Sequence, residues 1–502
     1  MAKETPMSGN NEPIQISLKD FTLHAPGLHG VVKELDANQT TTRGPGVKDP
    51  MHKLVMDSAK DNEIRLFGQF EIEVSKDDLK GAPQSQTRAA GVTRATKMGE
   101  PAMVLNAPKN TPNMGSAVLY TDEDGESRWV FPEDKTEKDK FTFLIPREGA
   151  PPVPTDGTTV RGAVTKGIRR IVKVFAWLTD EVVGVGALIL VKNWENKKRM
   201  YGLNTVLSDR DDAPVDWDKI SGERSLLLLH GTFSTWQAAF DGLRLSKTWF
   251  PQMQELYGNR IFAFNHPSLH QTPAENVGKL MEMLPDGVEL DIDIITHSRG
   301  GLVGREMCER LANIDPFGRK IAIKKAVFVA GPHTGTILTN KEHIVTLIDA
   351  YTNMLTNLPD NPATIIMEAL ISLVKIIGGG TVGALPGMQS MLPDGDYLKR
   401  LNATGPVDTT YYAMGARYAP NDEKILLRFG KRLLMKAITK IFNEDSDMVV
   451  PTKGSFDSLA TNGGFPIPEN RQKLYQLDDD INHINFFEHD VVNKQLFNWL
   501  SE

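Results

Sequence analysis

The sequence predicts an α/β fold. A mostly parallel sheet flanked by helices occupies residues 221–502, carries a helical insertion over 337–402, and follows a β-rich accessory domain over 1–220. Three patterns predict it. After residue 221, short runs that are apolar throughout, such as Leu226, Leu227, Leu228 and Leu229, give way to turns and then to helical spacing, as strands buried on both faces do. Before residue 220, apolar residues alternate with polar ones, the period of a strand with one face in water. Within 337–402 the apolar period is helical.

Alternation in the first part is clearest at residues 14–18, 64–68 and 70–74, and strand-like runs follow at 117–120, 129–131 and 141–145. Turn-rich stretches at 40–50 and 81–99, and a break at Pro151, Pro152 and Pro154, separate them. Residues 167–191 read as strands or as a buried helix, because apolar runs alone do not discriminate. A sandwich is the architecture these runs suggest. Its role is either to pack against and shield the second part or to place it on a polymer, a membrane surface or another protein.

Residues 291–303 read D-I-D-I-I-T-H-S-R-G-G-L-V. The β-branched run Ile292, Ile294, Ile295 predicts a strand, and Leu302, Val303 and Met307 recur at helical spacing, so Ser298 sits on a sharp turn between strand and helix. Such a turn pushes a serine hydroxyl clear of the sheet, while the helix behind it aims N–H dipoles at whatever the oxygen attacks. Gly300 and Gly301 suit the close backbone approach, whereas Thr296 stands where the usual G-x-S-x-G pattern has its first glycine. Upstream, the strand at 226–229 ends in His230-Gly231. Ligands of parallel sheets bind at the carboxyl ends of strands, so the N–H groups of Thr232 and Arg299 are the candidate oxyanion hole. His230, Gly231, Phe233, His297 and His333 are the candidate substrate-binding residues.

With Gly331-Pro332-His333-Thr334-Gly335-Thr336 after a strand at 326–330, and Asp447-Met448-Val449-Val450-Pro451 further on, residues 226–500 resemble an α/β-hydrolase of the lipase/esterase kind. The resemblance implies a chain order of nucleophile, acid and base, hence Ser298, Asp447 and His483 as a catalytic triad acting through an acyl-enzyme. His483 lies just before a helix-like tail at 491–500, where the family carries its general base. Asp445 competes with Asp447 for the acid, and His489 with His483 for the base. The Arg299 side chain would either pair with a carboxylate or reach the cleft. The resemblance also implies that the insertion, with helical runs around 344–351, 354–358 and 365–374 and a glycine hinge at 378–380, forms a cap or lid over the site. A packed helical excursion without gating fits the same pattern.

The activity implied is carboxylic ester hydrolysis, with an acyl ester or lipid as substrate because the insertion is apolar, and with no cofactor. A phospholipase or amidase on the same triad, and a catalytically silent scaffold, are the alternatives. A net charge of −7 argues against nucleic acid as a partner. The histidines show no metal-ligand spacing, and the single cysteine, Cys308, excludes an internal disulfide. Residues 182–191 and 376–393 are too short or too broken for a transmembrane segment, and the opening residues lack the apolar core of a secretory signal, so a cytoplasmic location is the default expectation. The sequence leaves the oligomeric state open.

Overall fold

A computed structural model describes residues 4–17, 19–36, 49, 51–75, 78, 103–122, 125–133, 139–145, 168–179, 186–210, 213–315, 317, 319–336, 341–355, 358, 360–378, 385–405, 407–418, 444–458 and 465–502. The turn-rich stretch at 81–99, most of that at 40–50, the proline cluster at 151–154, residues 379–380 of the glycine hinge and an apolar run at 433–442 lie outside them.

The first part supplies strands β1 (Glu4–Ser8), β2 (Ile14–Gln15), β3 (Thr22–His24), β4 (His29–Glu34), β5 (Arg65–Val74), β6 (Met103–Pro108), β7 (Met114–Thr121), β8 (Ser127–Val130), β9 (Lys140–Ile145) and β10 (Ile168–Leu178), with helix α1 (His52–Asp61) between β4 and β5. One antiparallel sheet has the order β1-β4-β5-β10-β7-β8 and a second has β2-β3-β6-β9. Their facing residues, among them Phe21, Leu23, Ile72, Leu105, Phe143 and Val174, share one core, as period-two alternation requires. The runs at 64–68 and 70–74 are one strand. A register shift pairs Val174 with Gly68 but Phe175 with Leu66, so Phe67 is the extra residue of a bulge that breaks the alternation. The ambiguous segment at 167–191 holds both β10 and the start of helix α2 (Gly186–Lys198).

The second sheet system comprises β11 (Gly202–Thr205), β12 (Arg224–Leu229), β13 (Ile261–Asn265), β14 (Glu289–His297), β15 (Lys320–Val329), β16 (Thr410–Ala416) and β17 (Gln472–Tyr475), in the order β11-β13-β12-β14-β15-β16-β17. β11 pairs antiparallel with β13, and all the other pairs are parallel. The helices are α3 (Trp217–Ile220), α4 (Trp236–Arg244), α5 (Trp249–Leu256), α6 (Pro273–Met283), α7 (Gly300–Ile314), α8 (Lys341–Met354), α9 (Asp360–Gly378), α10 (Pro386–Gln389), α11 (Asp396–Asn402) and α12 (Asp490–Ser501). Leu226 and Leu228 face α4, α5 and α12, whereas Leu227 and Leu229 face α6 and α7. Burial on both faces explains why this strand reads as leucine throughout.

Within the insertion, α8 and α9 share a core with α1, with Ala117, Leu119, Trp129, Phe175 and Trp177 of the first part, and with Phe233, Leu302 and Met448 of the second. Among the described residues one helix, Asp360–Gly378, is long and apolar enough to cross a membrane, and 72% of that stretch is buried inside the protein. It is the longest helix of the insertion, and its apolar surface is already covered by α1, α2, α4, α8 and β7.

Candidate active site

The sheet order reverses at β12. Its neighbours are β13 on one side and β14 on the other, so the carboxyl ends of β12 and β14 lie at the switch point of the sheet, the usual place for ligands in such folds. The segments after these two strands are 230–235 and 298–299. Ser298 has φ +55°, a left-handed conformation that an ordinary side chain avoids, and its N–H donates to the Val329 carbonyl at 2.9 Å. The turn is tight. A Cβ on Gly300 would lie 2.3 Å from the Leu229 carbonyl oxygen, and one on Gly304 would lie 2.9 Å from Thr296 Cγ2. The helix can therefore pack under the sheet even though Thr296 replaces the first glycine of the common pattern.

Three side chains converge at this turn. His483 Nε2 lies 2.9 Å from Ser298 Oγ, and His483 Nδ1 lies 2.8 Å from Asp447 Oδ2. The other oxygen of Asp447 accepts N–H groups of Val449 and Val450 at 3.0 and 2.7 Å, and the His483 N–H donates to the Asp447 carbonyl at 3.0 Å. All three residues are buried. Asp445 faces outward and pairs with Arg417 at 3.1 Å, and His489 precedes α12 as its half-buried N-cap.

The remaining predicted residues divide. Gly231 touches Ser298: a Cβ there would lie 2.6 Å from Ser298 Cβ and 3.2 Å from its Oγ. Gly231→Ala is therefore expected to displace Ser298 and lower turnover by about 100-fold or more, measured as kcat on a reactive ester. Among the described residues no protein group accepts from the backbone N–H of Thr232 or Arg299. The Phe233 N–H, by contrast, is taken by Ser268 Oγ at 3.2 Å. His297 Nε2 donates to the His483 carbonyl at 2.8 Å, so it supports the histidine loop. His230 Nδ1 donates to the Gly231 carbonyl at 2.9 Å while its Nε2 accepts the His266 N–H at 3.2 Å, an arrangement that fixes the neutral tautomer. His333 is boxed by Phe328 and Phe465, its ring against Gly331 and Gly301, and among the described residues neither ring nitrogen has a hydrogen-bond partner. No hydrogen bond or ring contact joins it to Ser298 or His483 among the described residues. Neither alternative for the Arg299 side chain is realised. Its buried guanidinium donates to the carbonyls of Gly387 and Gln271 and to Asn276 Oδ1, tying α10 to the loop before α6.

Burial sets the charge of this region. It lowers His230 and His297 to about 3, and holds His266 and His333 well below the ordinary histidine range. These imidazoles stay neutral in the folded protein but take up protons when unfolded, so the unfolded state binds more protons below pH ~6.5. Stability is expected to be full above that pH and to fall steadily as pH drops towards 3. Thermal melts at pH 7.5 and 5 check the sign.

Two residues at the site carry no clear sequence signal. Tyr351 of α8 is 3% exposed and stands edge-on to Phe233 at 5.2 Å and to His483 at 6.0 Å. Burial, and then the Asp447 charge, push its phenol above the ordinary range, so it is neutral. Glu195 of α2 is fully buried and accepts the N–H groups of Ser268, Leu269 and His270 at 2.6, 2.9 and 2.9 Å, together with His270 Nδ1 at 2.6 Å. It shapes the loop that meets Phe233 and Arg299.

The chain belongs to the family described as a domain of unknown function, DUF7379, whose model matches residues 197–501. No curated protein matches it. Solved structures to which it is similar include lipase 1 from Pelosinus fermentans, 12% identical with a TM-score of 0.37, covering 56% of this chain and 98% of that one. A bromoperoxidase from Bacillus anthracis is 12% identical, with a TM-score of 0.30 over 60% of this chain and 95% of that one. An enol-lactonase from Burkholderia xenovorans LB400 is 14% identical, with a TM-score of 0.26 over 60% and 96%. At these scores the likenesses carry no inference about chemistry, and the functional reading rests on the site.

Proposed function

We propose that the protein is a serine hydrolase of α/β-hydrolase type that cleaves carboxylic esters through an acyl-enzyme on Ser298. One observation carries the reading: a continuous hydrogen-bonded chain from Ser298 Oγ through His483 to Asp447, mounted on a strained turn at the switch point of a parallel sheet. In this reading His483 takes the Ser298 proton and returns it to the leaving alcohol, Asp447 holds the imidazole in its productive tautomer, and the N–H groups of Thr232 and Arg299 hold the oxyanion. The insertion acts as a cap, and the β-rich first part as an accessory domain packed on it. Acyl esters are favoured over peptides because Phe233, Tyr351 and Met448, which adjoin the site, belong to an apolar cluster continuous with α8 and α9.

Reaction with a fluorophosphonate probe tests this, because labelling needs an activated serine. The intact protein is expected to label at one site and Ser298→Ala not at all. An unlabelled intact protein would favour a silent scaffold.

A further inference from the structure

We infer that Glu195 is a positioning residue for the oxyanion hole, a buried carboxylate that holds the one loop on which both candidate donors, Thr232 and Arg299, are braced; this rests on the serine-hydrolase reading. Residues 268–270 present three successive N–H groups, a nest of the kind that grips an anion, and Glu195 fills it. Its Oε1 accepts from Ser268 and Leu269 at 2.6 and 2.9 Å, and its Oε2 accepts from His270 at 2.9 Å and meets His270 Nδ1 at 2.6 Å. The carboxylate comes from α2, outside the parallel sheet. That helix has a fixed base, because Arg199, just past its end, donates to the Ile365 carbonyl of α9 at 2.5 Å.

The loop reaches the site on two sides. On one, Ser268 Oγ accepts the Phe233 N–H at 3.2 Å. Phe233 has φ +63°, a left-handed conformation that persists only where its surroundings over-determine it. Its ring is held as well, edge-on to Tyr351 at 5.2 Å, and Asp349 and Asn353 of the same helix accept the N–H groups of Trp129 and Ser127 in β8 at 2.8 and 2.9 Å. Thr232 lies between this clamped residue and Gly231, which abuts Ser298, so the direction of its N–H follows from the two. On the other side, the Arg299 guanidinium donates to the Gln271 carbonyl and, at 3.2 Å, to the Gly387 carbonyl, while the Gly387 N–H donates to the Leu269 carbonyl at 2.9 Å. The two donors share one footing, and a shift of residues 268–271 moves one relative to the other. An oxyanion exists only once Oγ has bonded to the acyl carbon, so such a shift raises the barrier and leaves substrate binding alone.

The test is Glu195→Gln and Ser268→Ala, singly and together, assayed on p-nitrophenyl butyrate with active sites counted by fluorophosphonate labelling. In Glu195→Gln one end of the amide still accepts, but the other turns its own N–H groups toward N–H groups of the nest. The variant is expected to lower kcat about 100-fold with KM within about twofold, the scale of a small misplacement at a reacting centre. Ser268→Ala removes only the acceptor of the Phe233 N–H and is expected to cost about tenfold in kcat; it carries the test if Glu195→Gln melts early. The double variant should be no slower than Glu195→Gln, since the serine acts only while the nest holds it in place. Affinity for an alkyl trifluoromethyl ketone, which forms an oxyanion on the serine, should fall in step with kcat/KM per labelled site. Unchanged ketone affinity, full activity in Ser268→Ala, or multiplied losses in the double variant would each overturn the assignment. An intact protein that neither labels nor turns over ester defeats the serine-hydrolase reading, and the Glu195 role falls with it. Activity lost in Ser298→Ala but kept in both Glu195→Gln and Ser268→Ala defeats the Glu195 role alone.

Discussion

Replacing Ser298 with alanine is expected to lower kcat for ester hydrolysis by about 10⁶-fold, the scale on which removing the nucleophile of a linked triad acts. The variant should fold normally, because only Oγ is lost. Comparing p-nitrophenyl esters from acetyl to palmitoyl with both proteins measures the loss and, in the intact enzyme, the acyl length the site accepts. The sharper form of the expectation is non-additivity. Ser298→Ala combined with His483→Ala should be no slower than Ser298→Ala alone, since the imidazole acts only on the serine proton. Retained activity in the single variant would remove Ser298 from the chemistry.

Asp447→Asn is expected to cost about 10⁴-fold in kcat with little change in KM. Its oxygen could keep the N–H groups of Val449 and Val450, but the new amide nitrogen would face His483 Nδ1 and force the imidazole to present the wrong tautomer to Ser298. Asp445→Asn, two residues away on an exposed pair with Arg417, should leave activity unchanged. If the two variants exchanged effects, the acid would be assigned to the wrong residue.

How much of this could be read from the chain depends on how local each demand is. The turn around Ser298 is legible because a β-branched run, two small residues and a helical period are all written within sixteen residues. Asp447 and His483 are legible only by resemblance to known motifs: nothing in either loop states that the two meet, and their meeting depends on β16, β17 and the stretch before α12. Tyr351 is not legible as a site residue. It recurs with Ile344, Leu347 and Ile348 on an apolar stripe, so the period accounts for it as core and cannot say that its ring stands against Phe233 and His483. Glu195 sits among Lys192, Lys197 and Lys198, a setting that reads as a solvated face, yet it is buried against three backbone N–H groups. In both cases the decisive contact lies across the fold, beyond the reach of periodicity.

The bonds between α8 and β8 have a consequence for how the chain matures. Among the described residues β8 is the outermost strand of its sheet, and there no described strand pairs with one line of its backbone groups. Asp349 and Asn353, 220 and 226 positions further along than Trp129 and Ser127, fill that line with side-chain groups. Until they emerge during synthesis the edge stays raw, a template on which any extended chain could add itself. A fragment ending near residue 220 would therefore be a sticky one, prone to self-association at its β8 margin. The later helix covers the margin of the earlier sheet, and dissecting the protein at that point would remove that cover along with the Ser298 site.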